Sequence, residues 1–227
     1  MKKILAIVAH PDDEVLGLGG ALRKHVVMGH QVKVLILSDG ESSRDFKEKD
    51  ELISAIKKRK ESACNAGKII GYGEPIFSNF KDNSFDSSDL LDIVKVIEGV
   101  IKNFIPNIIY THCSHDLNVD HQKTNEAVIV ATRPKFESSI EAIYAFETLS
   151  STEWSFSKSK SFQPNIFIDI ESEIDKKIEA LKCYDSEMLP APNARSYEAV
   201  QVLAKRRGFQ VGVQFAEGFE VVREIKK

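Results

Sequence analysis

Cysteine is scarce in this chain: three in 227 residues, at positions 64, 113 and 183. They are odd in number, far apart and without a CxxC pair, which excludes a disulfide framework and points to reduced thiols in a cytoplasmic setting. Cys113 lies beside two histidines, so it is either a candidate ligand or a small buried side chain. No apolar run approaches the ~18–20 residues of a membrane span. The basic start Met1-Lys2-Lys3 and the apolar Ile4–Ala9 imitate a signal peptide, but the run stops at His10-Pro11-Asp12-Asp13-Glu14, which is no cleavage site. Excess charge is also missing: 31 basic against 34 acidic residues leaves −3, with no basic face for nucleic acid. Repeats, low-complexity tracts and linkers are absent.

What is present is a soluble globular composition, 42% hydrophobic and 29% charged. The length suits one domain over residues 1–227. Short apolar runs alternate with helical patterns. Lys3–Val8, Val32–Leu37, Lys68–Ile70, Asn107–Tyr110, Ala142–Phe146 and Asn165–Ile170 read as strands, the first continuously apolar as in a sheet covered on both faces. Helices are expected at Glu14–Met28, Asp50–Ala66 (stopped by Gly67), Ser88–Phe104, Asp120–Thr132, Glu171–Tyr184 and Tyr197–Arg206. This alternation predicts an α/β fold, a mostly parallel sheet with helices on both faces. Such sheets place ligands beyond the carboxyl ends of their strands, which directs attention to the segments after Ala9, Leu37 and Tyr110. The Ser-rich loop Ser150–Gln163 is a candidate mobile flap.

After the first strand, His10, Asp12, Asp13 and Glu14 crowd ionisable groups into five positions. Such crowding is costly unless something pairs them. After Tyr110 come His112, His115, Asp116, Asn118, Asp120 and His121. Imidazole nitrogen and carboxylate oxygen together suit a divalent cation such as Zn²⁺. The plainer reading is helix capping by Asp and Asn.

The string Ala9-His10-Pro11-Asp12-Asp13-Glu14 after an N-terminal strand, with Asp120-His121 at a later helix start, resembles the PIG-L/LmbE-like deacetylases. These are zinc-dependent enzymes that remove acetyl groups from N-acetylglucosamine conjugates and related amides. Ser38-Asp39-Gly40-Glu41 resembles a family loop, and Thr132-Arg133-Pro134, Arg207-Gly208 and Ala216–Phe219 look like weaker signatures. The resemblance implies a three-layer Rossmann-like fold, metal ligation by His10, Asp13 and His121, and Asp12 as general base. It makes a homo-oligomer plausible. His/Asp ligation also suits Fe²⁺, Co²⁺ or Mn²⁺. The chain departs from the pattern at Asn118, where many members carry a histidine that stabilises the oxyanion or protonates the leaving amine. Asparagine can donate a hydrogen bond but delivers no proton at neutral pH. His115 is the favoured replacement acid, His112 a second candidate, and a base-then-acid role for Asp12 a third. The implied substrate is an N-acetylated amino sugar or sugar conjugate. The alternatives are an amide of an antibiotic or thiol conjugate, or a catalytically impaired metal-binding homologue.

Arg44 and Asp120 are candidate substrate-side residues. Arg44 either forks onto the substrate or faces solvent, and Asp120 either orients a ligand or caps a helix. Glu14 suits the positive end of a helix dipole. Gly17, Gly19 and Gly20 are out of register for a dinucleotide loop and read as close helix–sheet packing. The run Lys57–Lys60 reads as a solvated face. Glu147, Trp154, Arg195, Tyr197, Arg207 and Glu217 are candidates for a cleft or subunit contact.

Overall fold

A computed structural model describes residues 1–134, 139–156 and 161–226. Seven strands form one sheet: β1 (Lys3–Val8), β2 (Gln31–Ser38), β3 (Ile76–Phe80), β4 (Ile108–His112), β5 (Ala142–Phe146), β6 (Ile166–Asp169) and β7 (Ala216–Glu224). Their order is β3-β2-β1-β4-β5-β7-β6. β1 to β5 pair in parallel, and β7 runs antiparallel to both β5 and β6. The helices are α1 (Asp13–Val27), α2 (Lys49–Ile70), α3 (Leu90–Phe104), α4 (Val119–Ala131), α5 (Ile174–Leu181) and α6 (Tyr197–Val211).

The continuous apolar run of β1 has a simple cause. Ile4, Ala6 and Val8 face a core built with α1, α2 and α5, whereas Leu5, Ile7 and Ala9 face a second core built with α3 and α4. With both faces covered, no position after Lys3 is left for a polar residue. β1 pairs with β2 on one side and β4 on the other, so the strand order reverses there, the place where open α/β sheets bind ligands.

Three expectations need correction. Lys68–Ile70 is the last turn of α2, not a strand. Gly67 does not stop the helix, since a Cβ there would meet the Gly73 carbonyl oxygen at 2.0 Å, so this glycine permits a close crossing. The stop is Gly71, left-handed at φ 101°, whose N–H returns to the Gly67 carbonyl. The third strand is Ile76–Phe80 instead, and β7 is a strand beyond those expected from the sequence. The Ser150–Gln163 loop contains a short 3-10 turn at Thr152–Trp154, and its residues 157–160 lie outside the described residues.

The glycines of α1 do serve packing: a Cβ on Gly17 would stand 2.3 Å from the Phe146 ring. α1 also breaks at Leu18, whose φ/ψ is non-helical. Both freed ends are answered by side chains. Lys177 Nζ donates to the Leu16 carbonyl at 2.8 Å, and Glu217 accepts from the Gly20 and Ala21 N–H groups at 3.0 and 2.7 Å.

Candidate metal centre and substrate pocket

The site begins where β1 ends. Asp12 caps α1 with φ 129°, a backbone region that normally selects glycine and costs about 1–3 kcal/mol for other residues. Neighbours hold it there. Its N–H donates to Glu14 Oε2 at 3.0 Å, and its carbonyl accepts from the Val15 and Leu16 N–H groups. Buried Glu14 in turn accepts from the Tyr184 hydroxyl at 2.6 Å and the Tyr72 hydroxyl at 3.3 Å. Burial pushes the Glu14 carboxyl up to about 7. Asp12 thereby lines a pocket, while Asp13 is fully buried beneath it.

His10 Nδ1, Asp13 Oδ2 and His121 Nε2 form a triangle with edges of 3.1, 3.2 and 3.3 Å. Ligand atoms held ~2.0–2.2 Å from a tetrahedral zinc stand roughly 3.3–3.6 Å apart, so the triangle has the size of one face of such a site. The second oxygen of Asp13 is buried without a hydrogen-bond partner among the described residues. Charge agrees with geometry. Burial opposes a cation at His10, yet Asp120, Asp13 and Asp82 outweigh it and push its pKa up to about 10. Burial likewise opposes ionisation of Asp13, but His121, His112 and His10 hold its carboxyl well below the usual range. This environment favours positive charge, and the donor set fits a divalent ion.

A second set, His10, Asp82 and Asp120, also lies close enough to hold an ion. Neutral imidazole offers one lone pair, so a His10 that ligates through Nδ1 carries its proton on Nε2. That nitrogen is 3.2 Å from Asp120 Oδ2 and 3.3 Å from Asp82 Oδ1. With His10 ligating in that way, these carboxylates would be its orienting partners. Asp120 is itself fixed by the Phe85 N–H at 3.0 Å. His121 is served similarly by Asp116, whose Oδ1 is 3.1 Å from His121 Nδ1, though without the alignment of a formed hydrogen bond. Asp116 is held by the Ser151 hydroxyl and, at 2.5 Å, by that of Thr152. His112 is close, but its Nε2 accepts from the Ala9 N–H at 2.9 Å, so that lone pair is occupied. Burial pushes His112 down to about 4, which keeps it neutral.

A cavity of about 420 Å³ opens over His10 and Asp12, within the range of small-molecule sites. Its charged lining is balanced: Arg44, Arg59 and Arg195 against Asp12, Asp82 and Glu187. Arg59 is buried and donates to Glu41 at 2.8 Å and to Glu187. Arg44 donates to Glu187 at 2.7 Å and lies 3.3 Å from Glu41. Arg195 Nη1 donates to Asp12 Oδ2 at 2.6 Å.

The structure thus brings together His10, Asp12, Asp13, Asp120 and His121, and sets Arg44 and Asn118 on the pocket wall. Asn118 caps α4, accepting from the Asp120 N–H at 2.8 Å and donating to Asn83 at 3.1 Å. His115 is not brought in. Its ring contacts the neighbouring Ser114 hydroxyl, and Asp116 takes the inward position on that turn. Sequence reasoning missed Asp82 and Arg59, and gave Asp116 no role of its own. Arg59 sat in a basic run read as solvated, and its partners Glu41 and Glu187 lie 18 and 128 residues away.

Residues 5–132 match the family model described as PIG-L: GlcNAc-PI de-N-acetylase. The chain is 33% identical over 191 residues to the Escherichia coli K12 protein named "Uncharacterized deacetylase YaiS", covering 82% of this chain and 91% of that one. It is 28% identical over 247 residues to the 4-oxalmesaconate hydratase of Pseudomonas putida KT2440, covering 97% and 89%. In fold it is similar to the N,N'-diacetylchitobiose deacetylase of Pyrococcus horikoshii, with a TM-score of 0.76 at 20% identity over 97% of this chain and 84% of that one.

Proposed function

The chain belongs to the PIG-L: GlcNAc-PI de-N-acetylase family, and on that premise we propose that it is a metal-dependent amidase that removes the acetyl group from an N-acetylated amino sugar or sugar conjugate. The observation that carries the reading is the triangle of His10 Nδ1, Asp13 Oδ2 and His121 Nε2 with Asp12 beside it. His10, Asp13 and His121 would hold the metal, and zinc is the ion assigned here, with Fe²⁺ the alternative. When bound, such an ion lowers the pKa of its water from ~15.7 towards ~7 and polarises a carbonyl.

The chain's own residues supply the remainder. Asp12 is the general base, with Oδ2 held by Arg195 and Oδ1 left to take a proton. Neither Asn118, whose amide delivers no proton at neutral pH, nor His115, outside the pocket lining, is suited to protonate the leaving amine. The same Asp12 then returns the proton it took. Arg44, Asp82, Asn83 and Asn118 offer donors and acceptors for sugar hydroxyls. Asp120 acts through His10 instead of touching substrate.

The hydratase relative supports a second reading, addition of water across the double bond of an unsaturated polycarboxylate. Such a substrate needs unpaired cations, and every arginine of this pocket already faces a carboxylate. The balance favours a neutral, hydroxylated substrate. The three cysteines are free thiols, in keeping with a cytoplasmic enzyme. No described helix is long and apolar enough to cross a membrane. Light scattering reads the expected homo-oligomer.

The test is acetate release from N-acetylglucosamine, its phosphates and its nucleotide conjugates, before and after chelation. Activity lost with the metal and restored by Zn²⁺ is expected. Full activity in a metal-free preparation, or turnover of unsaturated polycarboxylates alone, overturns the reading.

A further inference from the structure

Three loops far apart in sequence meet at Asp12, and Arg195 joins them. Its Nη1 donates to Asp12 Oδ2 at 2.6 Å and its Nε to the Ser150 hydroxyl at 2.8 Å. The loop that carries Arg195 is closed on itself. The Leu189 N–H donates to the Arg195 carbonyl at 2.9 Å, and the Arg195 N–H donates to Asn193 Oδ1 at 2.8 Å. The next residue, Ser196, caps α6. Ser150 is itself fixed, at φ 65°, by its N–H donating to Glu153 at 2.6 Å. The guanidinium is thus held from both sides while remaining on the pocket wall.

The other two arginines of the wall are differently placed. Arg44 and Arg59 share the two carboxylates Glu41 and Glu187, neither of which is the base. Arg195 has Asp12 as its anionic partner. Its charge balance therefore changes when the base takes up a proton.

We infer that Arg195 is a positioning residue for the reaction: it aims Asp12 at the attacking water, and its charge answers the negative charge that develops on the amide oxygen. The inference rests on the amide-hydrolysis reading above. As a water oxygen bonds to the carbonyl carbon, one water proton passes to Asp12 Oδ1 and the carbonyl π pair moves to the amide oxygen. The Asp12–Arg195 pair loses its anion at the moment an anion forms on the substrate. A cation held in place by fixed partners is the kind of group that stabilises such charge without reorganising. On collapse the oxygen pair re-forms the carbonyl, the C–N bond breaks, and nitrogen takes the proton from Asp12. Acetic acid, which then ionises, and the free amine leave. Arginine stays protonated throughout, so its part is orientation and charge and never proton delivery.

The experiment compares zinc-loaded wild type, Arg195→Ala and Arg195→Lys. Acetate release from N-acetylglucosamine gives kcat and KM, and calorimetry gives binding of methylphosphonate, a tetrahedral anion near the size of the acetyl group. Arg195→Ala is expected to lower kcat by about 10²–10³-fold with KM little changed. Affinity for methylphosphonate should fall at least about tenfold, metal content should stay that of wild type, and added guanidinium ion should restore part of kcat. Arg195→Lys, which keeps the charge and loses the fork, should fall between the two and serves if the alanine variant does not fold. Wild-type kcat in either variant, a loss confined to KM, or unchanged methylphosphonate binding overturns this inference alone. A wild type that releases no acetate overturns the hydrolysis reading and this inference with it.

Discussion

Asp116 Oδ1 lies 3.1 Å from His121 Nδ1, on the side of the ring away from the other two ligand atoms. The carboxylate is buried and anchored by Ser151 and Thr152, so it fixes how the imidazole turns. His121 presents Nε2 to the triangle while Asp116 faces the other nitrogen.

Replacing Asp116 with Ala should therefore loosen the ligand without removing it. Loss of such an orienting partner typically costs 10–100-fold in metal affinity. Competition with a calibrated chelator measures it, and unchanged affinity would show that His121 needs no orienting partner.

Asp12 and Asn118 should rank differently in steady-state kinetics. Removing a general base costs about 10²–10⁴-fold, and Asp12→Ala should fall in that range. Asn118→Ala removes a helix cap and a hydrogen bond to Asn83, so its effect on kcat should be smaller. An equal or larger loss at Asn118 would assign that amide a direct part in the chemistry.

Lys177 and Glu217 form a buried ion pair at 2.6 Å that answers both ends of the break in α1. Removing one member of a buried pair leaves a charge uncompensated, at a cost of about 3–5 kcal/mol. Lys177→Met should lower the unfolding free energy read from urea denaturation by that amount. The double variant Lys177→Met/Glu217→Leu should lose less than the sum of the single losses, because no lone charge remains.

Acid stability should carry the mark of His25. Burial, with His30 facing it across 3.0 Å, pushes His25 down from 6.5 to about 4. Between those values the unfolded chain binds a proton that the folded chain refuses. Stability is full above pH 6.5 and declines as pH falls towards 4. His25→Gln should remove up to about 3 kcal/mol of that decline. Denaturant midpoints at pH 7 and pH 4.5 measure it, and equal slopes in the two proteins would refute it.

The parts of the fold legible in the sequence were those fixed by local chemistry. From Ile4 onward β1 is apolar because both of its faces are covered, and the motif after it carries two of the three candidate ligands, His10 and Asp13, within four residues. What stayed hidden depends on partners far along the chain. Gly67 and Gly71 look alike as letters, yet one permits a close crossing and the other turns left-handed. Asp82 reads as a loop residue until the fold sets it 3.3 Å from His10. Arg59 is indistinguishable from Lys58 and Lys60 until Glu41 and Glu187 arrive beside it. His115 shows the converse: it is near His121 in sequence, yet its ring rests against the Ser114 hydroxyl.

The break in α1 gives the molecule a division of labour. The three side chains proposed to hold the cation all precede residue 122, yet what braces the helix beneath them, Lys177, Tyr184 and Glu217, belongs to the last third of the chain. A fragment ending at residue 132, where the family match stops, would keep every candidate ligand and forfeit the scaffold that aims them. Exchange of segments between relatives would then transplant chemistry intact only when both portions travel together.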